Sequence, residues 1–242
     1  LLEALDTEDA VEGIEGQLRS NPEPKYAQAN ASDPKYAQAN ASDSKYAQTS
    51  NGYTSDLRWL KVRMLAGNIE ASVDPSLQTP QVTRGNADMR SVGQDVELDV
   101  QAVRSDFLGG LLGSIRAGDI ELKLPQGWGL EIDGKAGEVE VKDVACLRGR
   151  VLAGNIELER VHGLDLSVRA GNVEGSLLIT EGQHHLKVSM GNAELKLLPG
   201  SNVKVTPHVS LGNVSNQDPV VGEGKAVLDV TVSMGNVELR AQ

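Results

Sequence analysis

Seven glutamates in this chain follow a recurring glycine-containing phrase at a fixed offset: Glu70, Glu121, Glu140, Glu157, Glu174, Glu194 and Glu238. A row of carboxylates can bind cations, repel polyanions, or supply paired acids for hydrolysis. If the phrases stack, the glutamates form a column with a step of about 4.8 Å, and neighbours repel by ~0.9 kcal/mol in water. A dry column is therefore excluded. It must be solvated, interleaved with Lys or Arg, or bridged by cations. Calcium bridging would need six to eight oxygens around each ion, which one residue per layer does not supply. No metal site and no cofactor is assigned.

The remaining candidates for chemistry are sparse. The histidines are His162, His184, His185 and His208. His184 and His185 are adjacent, so on a strand they point to opposite faces and cannot chelate together. Cys146 lies in "DVACLRG" among apolar residues, without a nearby cation or helix start to activate a thiolate. Glu131 and Asp133 are the one carboxylate pair beside a segment, 99–113, long enough to bulge from a regular coil. A polysaccharide-cleaving site would need such a pair within a walled cleft. No phosphate-loop, dinucleotide or nucleophile-elbow sequence occurs. No catalytic residue is assigned.

The phrase itself specifies the elements. It reads "AGNIEL", "AGDIEL", "AGNVEG" or "MGNVEL", an alternating strand on each side of a Gly-Asn pair. The clearest copies are Gly67-Asn68, Gly154-Asn155, Gly171-Asn172, Gly191-Asn192, Gly212-Asn213 and Gly235-Asn236, with Gly85-Asn86 and Gly118-Asp119 as variants and Gly137-Glu138 degenerate. Most lie 17 to 23 residues apart, and one copy seems to be missing between 85 and 118. Periods near twenty signal a solenoid. Both Gly and Asn tolerate positive φ, so both are expected to turn the chain at a corner. Stacked asparagines would then bond along the stack as amide ladders do. The alternative is an antiparallel sandwich with Gly-Asn hairpins. The constant flanks and period favour an all-β solenoid of about ten short coils spanning 57–242.

Two other sections precede it. Residues 1–20 show apolar spacing of three and four, predicting short helices that need a docking surface. Residues 21–56 contain the decapeptide "PKYAQANASD", twice and then degenerate, which reads as a spacer. Its Asn-Ala-Ser triplets match a glycosylation sequon incidentally to the repeat.

Composition narrows the partners. The chain has 242 residues and a formal net charge of −11, which opposes nucleic-acid binding. Aromatics are 3% of residues, so the core is built from Val, Leu, Ile, Ala and Met. No apolar stretch is long enough to span a bilayer as a helix. A protein or glycan partner remains open. The last phrase stands only a few residues before Gln242, so the C-terminal coil is expected to present an open edge, predicting a homo-oligomer or filament.

From Leu57 onward, the strands punctuated by "AGNIEL" and "MGNVEL" resemble the bacterial putative-adhesin domain, whose usual phrase is closer to Ser-Gly-Asp-Ile/Val-Glu. "LLEAL" and the following segment resemble the end of a SHOCT-like helical segment. The resemblance implies a β-solenoid, no catalytic residues, and an association with the bacterial envelope, its stress response or surface proteins. The compartment stays open between bacterial cytoplasm and cell surface, the cytoplasm slightly favoured.

Overall fold

The computed structural model describes residues 57–100, 103–104, 115–116, 118–216 and 220–241. The expected helices within 1–20 and the spacer 21–56 lie outside the described residues.

Each corner phrase joins two strands. In chain order, β1 (Arg58–Met64) and β2 (Ile69–Val73) flank Gly67-Asn68, and β3 (Gln81–Arg84) and β4 (Ala87–Val92) flank Gly85-Asn86. Then come β5 (Asp95–Val100), a short hairpin of β6 (Val103–Arg104) and β7 (Ile115–Arg116), and β8 (Ile120–Leu124). Regular layers follow: β9 (Trp128–Ala136) with β10 (Val139–Lys142), β11 (Cys146–Ala153) with β12 (Ile156–Val161), β13 (Leu164–Ala170) with β14 (Val173–Leu177), and β15 (Gln183–Met190) with β16 (Ala193–Leu197). The described chain closes with β17 (Val203–Leu211), β18 (Val214–Asn216), β19 (Val220–Val221), β20 (Ala226–Met234) and β21 (Val237–Ala241).

These strands build two facing sheets. Sheet one runs β19-β17-β20-β15-β13-β11-β9-β1-β5-β4, and sheet two runs β18-β21-β16-β14-β12-β10-β2-β8-β3. Pairing in both is parallel except at the ends, where β19, β4 and β3 run antiparallel to their neighbours. The all-β solenoid is thus the observed fold, with eight parallel layers and one reversed layer. The reversed layer explains the copy that seems missing. After the corner at Gly85-Asn86, β4 doubles back on β5 as a hairpin turning at Gly93, so no corner is needed there.

Layer order departs from chain order. The β1–β2 layer is enclosed between β5–β8 and β9–β10, and the β20–β21 layer between β15–β16 and β17–β18. This corrects the expectation that the C-terminal coil is an open edge. β20 pairs with β15 on one side and β17 on the other, and β21 with β16 and β18. The outermost layer at that end is β17–β18.

The core follows from alternation. Val96, Leu60, Leu130, Leu147 and Leu164 stack layer upon layer in sheet one, and Ile69, Val139, Ile156 and Val173 do so in sheet two, all nearly inaccessible. Thin, uniform layers of this kind suit branched aliphatic side chains and leave little room for aromatics.

At the corners the work divides between the two residues. Gly191 has φ 138° and Gly235 has φ 139°. A Cβ on Gly191 would lie 1.8 Å from the carbonyl oxygen of Gly171, and one on Gly235 1.7 Å from that of Gly191. Glycine is required by both conformation and stacking. The asparagines do not share the positive φ: among the described residues only Asp143 and Arg160 are non-glycines in that region. The expectation that Asn also adopts it is corrected. Asn is there for its side chain.

Candidate functional site

The seven glutamates form one column on the outer face of sheet two. Register pairs Glu121 with Glu70, Glu70 with Glu140, Glu140 with Glu157, Glu157 with Glu174, Glu174 with Glu194, and Glu194 with Glu238. Glu121 and Glu238 at the two ends are half-buried and the five between are exposed. Two residues further along each strand lies a second, mixed column of Lys123, Ser72, Lys142, Glu159, Ser176, Lys196 and Arg240. Its cations serve the ends of the glutamate column. Lys123 reaches Glu121 at 3.4 Å, and Arg240 lies 3.6 Å from Glu194 and donates through Nε to Glu238 at 2.8 Å. Lys142 turns instead to Glu159, at 2.7 Å. Among the described residues, Glu70, Glu140, Glu157 and Glu174 have no ion-pair partner, and all four are exposed to solvent.

A groove of about 340 Å³ runs beside that middle stretch. Leu158, Gly175 and Leu195 line it together with glutamates and the cations Lys196 and Arg240. Beside it the register slips between Leu158 and Val161 where β12 meets β14. Gly175 sits there at φ 137°, where a Cβ would come 2.0 Å from the Leu158 carbonyl oxygen.

The outer face of sheet one has the opposite electrostatic design. Glu97, Lys61, Glu131, Arg148, Asp165, His185 and Asp229 stand side by side in register, alternating in sign wherever the charges are fixed. A parallel row reads Asp99, Arg63, Asp133, Arg150. Arg148 donates to Glu131 through Nε at 3.0 Å, and its guanidinium lies 3.6 Å from the centroid of the Trp59 ring. Trp59 in turn lies across Gly129, where any Cβ would meet the ring at 2.6 Å. Sequence reasoning set Glu131 and Asp133 aside as a carboxylate pair for hydrolysis. The structure places both in charge ladders, Glu131 held by Arg148, and most of the 99–113 segment lies outside the described residues. The signal was present as opposite charges at equivalent positions of successive coils. Reading it required knowing that β1 lies between β5 and β9.

The asparagine ladder runs along the corner seam. Asn172 Oδ1 accepts from the Asn192 backbone N–H at 3.0 Å, Asn192 Oδ1 from that of Asn236 at 3.0 Å, and Asn236 Oδ1 from that of Asn213 at 3.1 Å. Asn155 Oδ1 accepts from Asn172 N–H at 3.3 Å. At the other end, Asn68 Oδ1 accepts from Glu138 N–H and Asp119 Oδ1 from Asn68 N–H. Gly67, Gly154, Gly171, Gly191, Gly212 and Gly235 all lie between the two strands of their layers with positive φ. The corner asparagines thus bond layer to layer along the stack.

The titratable candidates divide by burial. His184 is 3% exposed and takes a core position in a column otherwise filled by Leu164 and Leu228. Its Nδ1 accepts from the Leu164 N–H at 3.2 Å and its Nε2 lies 2.8 Å from the Glu181 carbonyl oxygen, which fixes the neutral Nε2–H tautomer. Burial lowers its pKa from the ordinary imidazole value. His185 points outward, 3.5 Å from Asp229. Burial raises the pKa of Asp165 and pushes the Cys146 thiol up to about 12, so that sulfur stays protonated and inert. His162 is half-buried and His208 exposed, and neither joins another candidate. Among the described residues, no three His, Cys, Asp or Glu side chains converge to hold a metal ion. No described helix is long and apolar enough to cross a membrane.

No family model matches the chain, and no curated protein does. Two solved structures are similar to it. One is described as a putative cell adhesion protein from Clostridium sporogenes, with 15% identity, a TM-score of 0.45, and coverage of 80% of this chain and 95% of that one. The other is described as a putative adhesin from Bacteroides fragilis, with 11% identity, a TM-score of 0.30, and coverage of 76% of this chain and 93% of that one. The SHOCT-like resemblance falls on residues outside those described.

Proposed function

We propose that this chain is a non-enzymatic interaction module that binds a cationic partner, such as a basic protein segment, along the glutamate column of sheet two. One observation carries the reading. Sheet one largely neutralises its charges layer against layer, whereas sheet two leaves Glu70, Glu140, Glu157 and Glu174 contiguous and without an ion pair among the described residues. Such a column holds a standing repulsion of ~0.9 kcal/mol or more per step, which a bound cation relieves. An oligocation lying along the column would recover that energy at each step. Among the described residues, the perturbed titratable groups are explained by burial, by ion pairs or, at Asp74, by hydrogen bonds from Ser76, and they do not gather into an acid–base constellation. A glycan-binding role draws less support, because both tryptophans, the only aromatic residues among those described, are buried. A link to the bacterial envelope rests on the sequence resemblance alone.

The test is titration of the full chain with spermine and with poly-lysine by calorimetry at low and moderate salt. Binding should weaken steeply with salt and be lost in a Glu70→Gln/Glu140→Gln/Glu157→Gln/Glu174→Gln variant. Equal affinity in that variant would overturn the reading, as would hydrolysis of any polysaccharide in an acidic-glycan panel.

A further inference from the structure

The corner divides opposite charges between the two faces of one layer. The third residue after each corner glycine is the glutamate of the column on sheet two. In five layers the fourth or second residue before that glycine, on the outer face of sheet one, is a cation. Arg63 answers Glu70 in the β1–β2 layer, and Lys135 answers Glu140 in the β9–β10 layer. Arg150 answers Glu157, Arg169 answers Glu174, and Lys187 answers Glu194 in the three layers that follow. All of these side chains are exposed. The strands that carry the cations are consecutive in sheet one, and those that carry the glutamates are consecutive in sheet two. Each set is therefore a continuous band along the stack.

The two bands lie at the same depth from the corner. At about 3.3 Å per residue, the glutamates stand ~10 Å along the strand from the glycine, between the cation positions at ~7 and ~13 Å. Within one chain the bands point away from each other with the core between them. Asp133 is the one acid in the cation band of these layers, and Arg63 and Arg150 flank it in register. Leu65 and Leu152 hold the position of Lys135 and Arg169 in the intervening layers, and both are exposed. One step further from the corner the opposition continues: Glu131 shares a layer with Lys142, Arg148 with Glu159, and Asp229 with Arg240.

We propose that the partner of the glutamate column is a second copy of this chain, its cation band lying on the column face to face and layer to layer. This rests on the reading of the column as a site for cations and names its occupant. Three features select a second copy. Its cations repeat at the same spacing of about 4.8 Å as the glutamates they meet, a match that an extended peptide with its shorter residue rise does not offer. The signs are opposite layer by layer. The net charge of −11 makes copies repel at long range, so only a locally complementary contact holds them. A two-fold contact between like faces is excluded, because it would set glutamate on glutamate. The contact is head-to-tail, acidic face on basic face, and leaves each end of the assembly with one face open for a further copy.

The experiment is sedimentation velocity on the full chain from low to high micromolar concentration. The average mass should rise past that of two chains. Lys135→Glu/Arg169→Glu turns the basic band acidic, and Glu140→Lys/Glu174→Lys turns the middle of the column basic. Each double variant alone should weaken the addition of a copy about a hundredfold, since two attractive pairs per contact become repulsive. A one-to-one mixture of the two should associate again, as should a chain carrying all four substitutions, and neither restoration can come from a folding defect. Lys135→Glu/Arg169→Glu should still bind poly-lysine through its intact column. A wild-type monomer at every concentration would overturn the proposal, and binding of poly-lysine by that monomer would leave the reading of the column standing. A mass that stops at two chains would overturn the head-to-tail arrangement. Double variants that associate as the wild type does, or that stay apart when mixed, would overturn the pairing of the two bands.

Discussion

The corner seam allows a prediction in which cause and magnitude are separable. Asn192 lies in the middle of the ladder. Its Oδ1 accepts from the backbone N–H of Asn236 at 3.0 Å and from the Asn236 side-chain amide at 3.1 Å, and its Nδ2 donates to Asn172 Oδ1 at 3.4 Å. Replacing it with valine removes all three and leaves the backbone conformation unstrained. The bonds are exposed to solvent, so each contributes at the lower part of the usual range, and their sum is about 1–3 kcal/mol. Asn192→Ala should cost the same within roughly 0.5 kcal/mol, because the lost ladder, not β-branching at positive φ, is the cause. Asn192→Asp keeps an acceptor for the Asn236 N–H but loses the donor, and should fall between. Glu194→Gln, two residues away on the exposed face, should change stability by no more than about 0.5 kcal/mol in either direction. Urea denaturation of the four variants, with slopes checked for constancy, provides the comparison. If valine cost well over alanine, strain would be the cause and the ladder argument would fall. If Glu194→Gln cost more than Asn192→Val, the assignment of corner and face would fall with it.

Other outcomes follow from the same geometry. Gly191→Ala should be far more damaging than any of these, at about 3 kcal/mol or more, because it combines positive φ with a Cβ 1.8 Å from the Gly171 carbonyl oxygen; soluble yield and denaturation midpoint read it out. His184 is buried neutral with a lowered pKa, so its contribution is whole above the unfolded imidazole value and is lost as pH falls through that value toward the lower folded one. Asp165, with its raised pKa, acts in the opposite direction, its unfavourable contribution shrinking as pH falls through its folded value toward the unfolded one. His184→Leu should therefore flatten the acid limb of the stability curve without changing the Asp165 contribution, and an unchanged limb would contradict the tautomer assignment. Arg148→Ala should shift tryptophan emission to the red by uncovering Trp59, an effect absent in Arg150→Ala. Cys146 should resist thiol reagents in the native protein and react at the rate of unfolding.

Much of this was legible in the chain because a solenoid writes its layers one after another. The two-residue alternation around each Gly-Asn pair revealed the strands, the corners and the column from Glu70 to Glu238. Three things were not legible. The division of labour at the corner was hidden because Gly and Asn share the same turn preference, and only the stacked backbone shows that Gly191 takes the strain while Asn192 makes the bonds. The charge ladder of sheet one was hidden because Lys61 answers Glu131 across seventy positions of sequence. The identity of the open edge was hidden because layer order is not chain order. Local pattern fixes which residues make a layer, but the sequence carries no local mark of where that layer inserts.

That last point bears on how the rod holds together. In a stacked array, stability is approximately the sum of each layer's own term and its contacts with the two neighbours. An outermost layer has one neighbour and frays first. Here the layer at risk is β17–β18, and it is tethered in sequence on both sides, by β16 before it and by β19–β20 after it. The β20–β21 layer, reached last along the described chain, has neighbours on both faces through seven register pairs with β15 and eight with β17. Fraying of β17–β18 must therefore open a loop whose two ends remain anchored. Opening such a loop gains less chain entropy than releasing a free end of equal length. The arrangement keeps the β17–β18 layer ordered although, among the described strands, only β19 lies beyond it. Native-state hydrogen exchange should accordingly find the Thr206 and His208 amides, which the register turns toward β20, exchanging far more slowly than an unfolded segment yet faster than the Gly235 and Val237 amides. Exchange of the Thr206 and His208 amides at unfolded-chain rates would show that the layer frays despite its two anchors and would remove this account of it.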